Sequence, residues 1–477
     1  MRSWNNSCIG IVTACLISLI SRNESSAKVV LPNIFDHNMV VQQKSVLRLW
    51  GVAKPQKLVK IKASWDNKEY KVHTYRDGKW SINIPTPAAS FNQHSIQFND
   101  GQPTLIKGIL FGDVWFCSGQ SNMEMTFKGF TNQPIDQAQR ITTESSTSNA
   151  IRMFKVKRNA AESPSTDGDG KWYIASPTTL EQFSVVAYTF AKKLHNELNI
   201  PIGIINSSWG GSSVEGWMNK DLVDNYTDMN LNEDIPDSEN WRKPCVMYNG
   251  MLKPFVKVPV KGFVWYQGEA NIDRYSTYAN KLTDMINLWR FEWKLGKLPF
   301  YLVEIAPYLY EHPVNAAKLR EAQQQTVRQT EQSWIVCTND LVRPDESAIV
   351  HPSQKEPIGQ RLANSCLKNT YGQTSLCVES PQFSGISIDK KKAVLQFDNS
   401  VDGLRSDGEI SGFEVADTSR VFYPAAATFS KDKQTIEVIH PKGLNIESVR
   451  YCFKNFSLGN VRNSCGLPLF DFRTDQW

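Results

Sequence analysis

No run of lysine and arginine interleaved with stacking aromatics occurs in the 477 residues, and the formal charge of +5 is small for that length. Nucleic acid is therefore not expected as a partner. No cysteine or histidine pair has zinc-ligand spacing and the seven histidines are dispersed, so neither a metal nor another cofactor is expected. Beyond the N-terminal stretch, no segment is long and apolar enough to cross a bilayer, and no internal repeat is evident. What is present is a globular composition, 41% hydrophobic and 21% charged, with 14 tryptophans in the strand and turn contexts that a core or a sugar-binding cleft uses. The length exceeds one ordinary core and predicts two or three domains.

The chain opens on Met1-Arg2-Ser3, then an apolar run over 9–20, then the small-residue exit Ser25-Ser26-Ala27. That is the pattern of a signal peptide over 1–27, cleaved near Lys28 or nearer Ser21, and it predicts an exported protein: secreted, periplasmic or lysosomal. Two of the nine cysteines, Cys8 and Cys15, fall in that leader. Of the remaining seven, an odd number, Cys366 with Cys377 and Cys452 with Cys465 are spaced to close small loops, whereas Cys117 and Cys337 lie in apolar strands as core thiols.

Residues 28–107 read as a small all-β domain of sandwich type. Alternating segments at 46–50, 59–64, 69–74 and 80–84 are separated by Lys54-Pro55, Asp66-Asn67 and Asp77-Gly78. Over 108–372 the period changes, and buried-strand runs at 108–117, 202–206, 263–266, 300–305 and 334–338 alternate with helical patterns. One helix is expected to start at the capping box Thr178-Thr-Leu-Glu181, with Phe183, Val186, Phe190 and Leu194 along one stripe. Others are expected over 277–293, 316–331 and 354–368. Strands alternating with helices predict a largely parallel α/β sheet. Between residues 125 and 172 the chain is polar and irregular, as in a long insertion over the sheet edge or cleft, and insertions of that length are usually functional or mobile. From about residue 373 alternation returns, predicting a C-terminal β domain over 373–477.

The apolar run 108–117 stops abruptly at Ser118-Gly119-Gln120-Ser121-Asn122. Ligands of open α/β sheets bind beyond the carboxyl ends of strands, so Ser121 or Ser118 is a candidate nucleophile, although such a turn is also ordinary. Three more strands run into polar or glycine-rich loops: Ser207-Ser-Trp-Gly-Gly-Ser212, Gln267-Gly-Glu-Ala-Asn271, and the loop leading to His351-Pro352. Four such loops at one edge of a parallel sheet assemble one site.

Together, Phe116-Cys-Ser-Gly-Gln-Ser-Asn-Met-Glu124, Asn206-Ser-Ser-Trp-Gly-Gly211, Trp265-Tyr-Gln-Gly-Glu-Ala-Asn271 and His351-Pro352 resemble the sialate O-acetylesterases of the SGNH hydrolase superfamily. Leu31-Pro-Asn-Ile-Phe35, Met39-Val-Val-Gln-Gln43 and Leu319-Arg-Glu-Ala-Gln323 extend the likeness over nearly all of the chain after the leader. The resemblance implies a flavodoxin-like α/β/α core with flanking all-β domains, acting without metal on O-acetylated sugars, sialic acid first. Esterases of acetylated polysaccharides such as xylan, or a non-catalytic carbohydrate-binding protein on the same scaffold, are the alternatives. It makes Ser121 the nucleophile and His351 the base. It also assigns the oxyanion donors to the backbone N–H groups of Ser121 and Gly210 and to the Gln267 amide, with Asn271 as rival. The superfamily's Asp, three residues before the His, is replaced by Ala348. Asp345, Glu346 or Asp340 remain as orienting acids, with a Ser-His dyad as the other possibility.

Overall fold

The computed structural model describes residues 28–145, 149–229, 235–400 and 402–477. The leader expected over 1–27 lies outside them. The organising element is one long strand, Pro103–Gly119, buried continuously from Ile109 onward. Its first half pairs antiparallel with Ser90–Asn99 and parallel with Val40–Gln42, joining the N-terminal β region to the chain's main sheet. The step between regions at residues 107 and 108 thus falls within a single strand. Its second half is the centre of the sheet, flanked in parallel by Ile202–Ser208 and Gly262–Tyr266. Beyond Gly262–Tyr266 lie Phe300–Val303 and Ser333–Val336, again parallel. On the other side Ile151–Val156 is parallel and Gly170–Ile174 closes the edge antiparallel.

Alternation along the central strand sorts side chains to two faces. Phe116 packs with Phe263, Trp265 and Phe300 under the helices Tyr275–Trp293 and Asn315–Gln329. Trp115 and Cys117 pack with Val264 and Tyr301 under Val185–Leu198 and Glu356–Asn369. The core is therefore a three-layer α/β/α sandwich, as the strand and helix alternation anticipates. The expected helix start at Thr178 is displaced. Leu180–Gln182 forms a separate 3₁₀ turn, and the helix begins at Val185 because the Ser184 hydroxyl accepts the Ala187 N–H and caps it.

The polar insertion contributes more than a loop. It holds the helix Ala138–Glu144 and the two strands that complete the sheet, Ile151–Val156 and Gly170–Ile174. The C-terminal region is all β, with Gln382–Asp389, Lys392–Asp398, Thr435–Ile439 and Ala426–Phe429 in one four-stranded sheet. The disulfide pairs Cys377 with Cys465, 88 residues apart. Cys366 and Cys452 are free thiols buried in the core, so the short-loop pairings suggested by spacing do not form. Sequence proximity is a poor guide here because Cys366 sits on a helix facing the sheet.

Candidate active site

Three parallel strands end level with one another, Gly119 being opposite both Ser208 and Tyr266. Gly119 has φ 139°, and a Cβ on it would lie 2.1 Å from the Tyr266 carbonyl oxygen, so only glycine turns the chain there. The turn is tied to both neighbours. Gln120 N–H donates to Tyr266 O at 3.0 Å, Trp209 N–H donates to Gly119 O at 3.1 Å, and Gln120 Oε1 accepts the Gly268 and Ala270 N–H groups.

Ser121 opens the short helix Ser121–Glu124 and Ser118 stays in the strand, wholly buried. The hydroxyl that meets a base is that of Ser121, whose Oγ lies 2.7 Å from His351 Nε2. His351 Nδ1 lies 2.6 Å from Gln133 Oε1, and since that oxygen only accepts, Nδ1 carries the proton and Nε2 is free to take one from the serine. No carboxylate does this work. Asp345 is exposed. Glu346 turns inward to accept the Arg343 and Ser353 N–H groups, and Asp340 is clamped by Arg361 and Arg462. The orienting partner of His351 is thus Gln133, not Asp345 or either of the other acids.

Gln133 arrives through a tight turn in the insertion. Phe130 and Gln133 exchange backbone hydrogen bonds at 2.9 and 3.2 Å, with Asn132 at φ 59°. The Asp136 N–H donates to Ser353 O and its carboxylate pairs with Arg343, tying the insertion to the histidine loop. The Phe130 ring meets His351 edge-on, centroids 4.9 Å apart.

The expected oxyanion donors fare unevenly. A Cβ at Gly210 would lie 3.3 Å from Ser121 Cβ, so its backbone does approach the nucleophile, but its N–H donates to Glu124 Oε2 at 2.8 Å. Arg158 grips the same carboxylate through two bonds of 2.8 Å. The Ser121 N–H has no acceptor among the described residues. Gln267 and Asn271 are both wholly buried and turned into the interior. Gln267 Nε2 donates to Ser212 O and to Asn271 Oδ1, while Asn271 Nδ2 donates to Glu215. Their amides are held by structural bonds rather than aimed at an acyl oxygen. Gln267→Leu is accordingly expected to cost about 1–3 kcal/mol of stability, by removing three buried hydrogen bonds, those to Ser212 O and Asn271 Oδ1 and the one from the Tyr278 hydroxyl, with little change in the kcat of the folded enzyme. Urea midpoints together with kcat check this.

Burial, and secondarily the Lys355 cation, push the His351 imidazole down to about 4. A base must be neutral to accept the serine proton, so activity is lost only when the pH falls through that value. Hydrolysis of a neutral chromogenic acetyl ester should therefore stay level through the range where a free histidine titrates, and drop near pH 4. A drop near the free-histidine value would contradict this placement.

A strand-end serine paired with a loop histidine on a parallel α/β/α sheet defines a serine hydrolase of the SGNH-like esterase class. The chain belongs to the carbohydrate esterase family whose model, sialic acid-specific acetylesterase, matches residues 111–368. It is similar to sialate O-acetylesterases of Pongo abelii (27% identical over 383 residues, 73% of this chain and 71% of that protein) and of Rattus norvegicus (27% over 409 residues, 73% of each). The crystal structure of a carbohydrate acetylesterase from Xanthomonas citri superposes with a TM-score of 0.84, at 30% identity over 94% of this chain and all of that one. The protein is thus a carbohydrate esterase with an SGNH-like core and added all-β sheets.

Proposed function

We propose that Ser121 is the nucleophile and His351 the general base of an O-acetylesterase that prefers O-acetylated sialic acids. The observation that carries the chemistry is the 2.7 Å contact of Ser121 Oγ with His351 Nε2, with Nδ1 held by Gln133. Attack of Oγ on the acetyl carbonyl passes the serine proton to Nε2, and the imidazolium returns it to the departing sugar oxygen. Water then repeats the cycle on the acetyl-enzyme. The negative oxygen formed in each step is received by the Ser121 N–H, joined by the Gly210 N–H once Glu124 yields it.

Sialic acid as substrate is supported by the family description and by the mammalian relatives. A second reading, other acetylated carbohydrates such as xylan, rests on the likeness to the Xanthomonas citri enzyme, a carbohydrate acetylesterase, at 30% identity. Acetate release from matched panels of O-acetylated sialic acids and acetylated xylan separates the two. A higher kcat/KM on the sialic acids is the expected result, and the reverse order installs the polysaccharide. Export of the protein is supported by the apolar leader pattern and by the Cys377–Cys465 disulfide, which persists in oxidising compartments. N-terminal sequencing of the mature protein is the test, with a start near Lys28 expected.

A further inference from the structure

Next to the nucleophile in sequence, at Asn122, begins a buried polar cluster that hands no proton in the chemistry just described. Lys355 is wholly buried, an uncommon place for a lysine. Its Nζ donates to Asn122 Oδ1 and stands 5.5 Å over the Tyr266 ring. Asn122, next in sequence to Ser121 and itself fully buried, uses its Nδ2 twice. One bond goes to Glu269 Oε1 at 2.5 Å and the other to the Val350 carbonyl at 3.1 Å. Val350 immediately precedes His351. A single side chain therefore bridges the serine turn, the loop after Gly262–Tyr266 and the histidine loop, and the ammonium fixes which way its amide faces.

We infer that Lys355 is a positioning residue for the esterase reaction: through Asn122 it locks the His351 loop against the Ser121 turn and sets a buried positive charge beside that loop. The inference rests on the assignment of Ser121 and His351 as nucleophile and base.

A buried ammonium is costly unless neighbours compensate it, so its retention calls for a role. The charged groups that face Lys355 are Glu269, from the loop after the neighbouring strand, Glu346, from the histidine loop, and the His351 imidazole, with the Tyr266 ring below. Burial lowers the Lys355 amine to about 7, the two glutamates opposing that shift. Around pH 4, where His351 titrates, the amine is therefore protonated. Glu269 is itself pushed up by burial, and its Oε2 has no hydrogen-bond partner, so it only partly offsets the cation. A positive charge beside His351 disfavours the imidazolium, and removing it must raise the histidine's proton affinity.

The test compares Lys355→Met, Lys355→Arg and Asn122→Ala on a neutral chromogenic acetyl ester, with kcat, KM and full pH profiles. Lys355→Met is expected to lower kcat roughly 10-fold or more with KM little changed, as for an interaction that orients reacting groups. Its acid limb should move up from about 4 by about one pH unit. Lys355→Arg keeps the charge and should keep the limb near the wild-type position even where packing lowers its rate. Asn122→Ala should lose kcat without moving the limb, because the cation remains. An unmoved limb in Lys355→Met, or a limb displaced equally in Lys355→Arg, overturns the inference. If Ser121→Ala retains full activity, the underlying assignment of the site fails instead, and the two failures are told apart.

Discussion

Ser121→Ala is expected to lower acetyl-ester hydrolysis by about 10⁴–10⁶-fold, and His351→Ala by a similar factor, with the double variant no worse than either alone. The two side chains form one unit. The serine hydroxyl is a weak nucleophile until its proton leaves, and Nε2 at 2.7 Å is the group placed to take it. Removing either half removes the same step, so their effects do not add. The fold should survive, because Ser121 is only partly buried and alanine keeps every backbone bond of the turn, including the Met125 N–H to Ser121 O. Ser118→Ala should retain nearly full activity, since that hydroxyl is wholly buried and has no hydrogen-bond partner to lose. Steady-state kinetics with circular dichroism on each variant provide the check. A dead Ser118 variant beside an active Ser121 variant would sink the assignment.

Much of this was legible in the residues. The buried strands announced themselves because both faces of a parallel sheet are covered, giving near-continuous apolar runs such as 108–117. The helices at Tyr275–Trp293 and Glu356–Asn369 followed from periodicity, with ends within two residues of expectation. Ser121 was a candidate because it follows directly on a strand that sequence pattern locates, whereas His351 rested on the family resemblance, since His312-Pro313 repeats the same dipeptide and loop position alone does not separate them. Less legible was whatever depends on chain segments meeting at long range. Gln133 lies 218 residues from the ring it orients, in a stretch whose only signal was the unusual length of its loop. The inward turn of Gln267 and Asn271 depends on Ser212 and Glu215 from another strand's loop. Ile151–Val156 was missed as a strand because polar segments flank it, and its pairing with Ile202–Ser208 supplies the order that its local sequence does not.

The orienting amide is the feature that separates this site from a carboxylate triad, and its removal is expected to be the second most damaging change. Gln133 Oε1 accepts the Nδ1 proton at 2.6 Å, which fixes the tautomer that leaves Nε2 free for the serine. Without it the imidazole gains a second tautomer and a looser ring angle. Gln133→Ala should therefore lower kcat by about 10²-fold or more, less than the roughly 10⁴-fold that loss of the orienting aspartate costs a Ser-His-Asp triad, because a neutral amide gives the imidazolium less charge stabilisation to lose. Gln133→Glu makes the opposite change in charge while keeping an acceptor oxygen in place. A carboxylate beside Nδ1 stabilises the imidazolium, so the histidine's proton affinity rises and the acid limb of kcat/KM moves up from about 4 toward neutrality. At neutral pH that variant should equal or exceed the wild type, since the imidazolium formed during attack is better held. Asp345→Asn, changing an exposed carboxylate, should leave both rate and profile as they were. Profiles for the three variants on one chromogenic ester decide the matter: a wild-type rate in Gln133→Ala would reduce the site to a Ser-His dyad, and a crippled Asp345→Asn would return the third role to the acid.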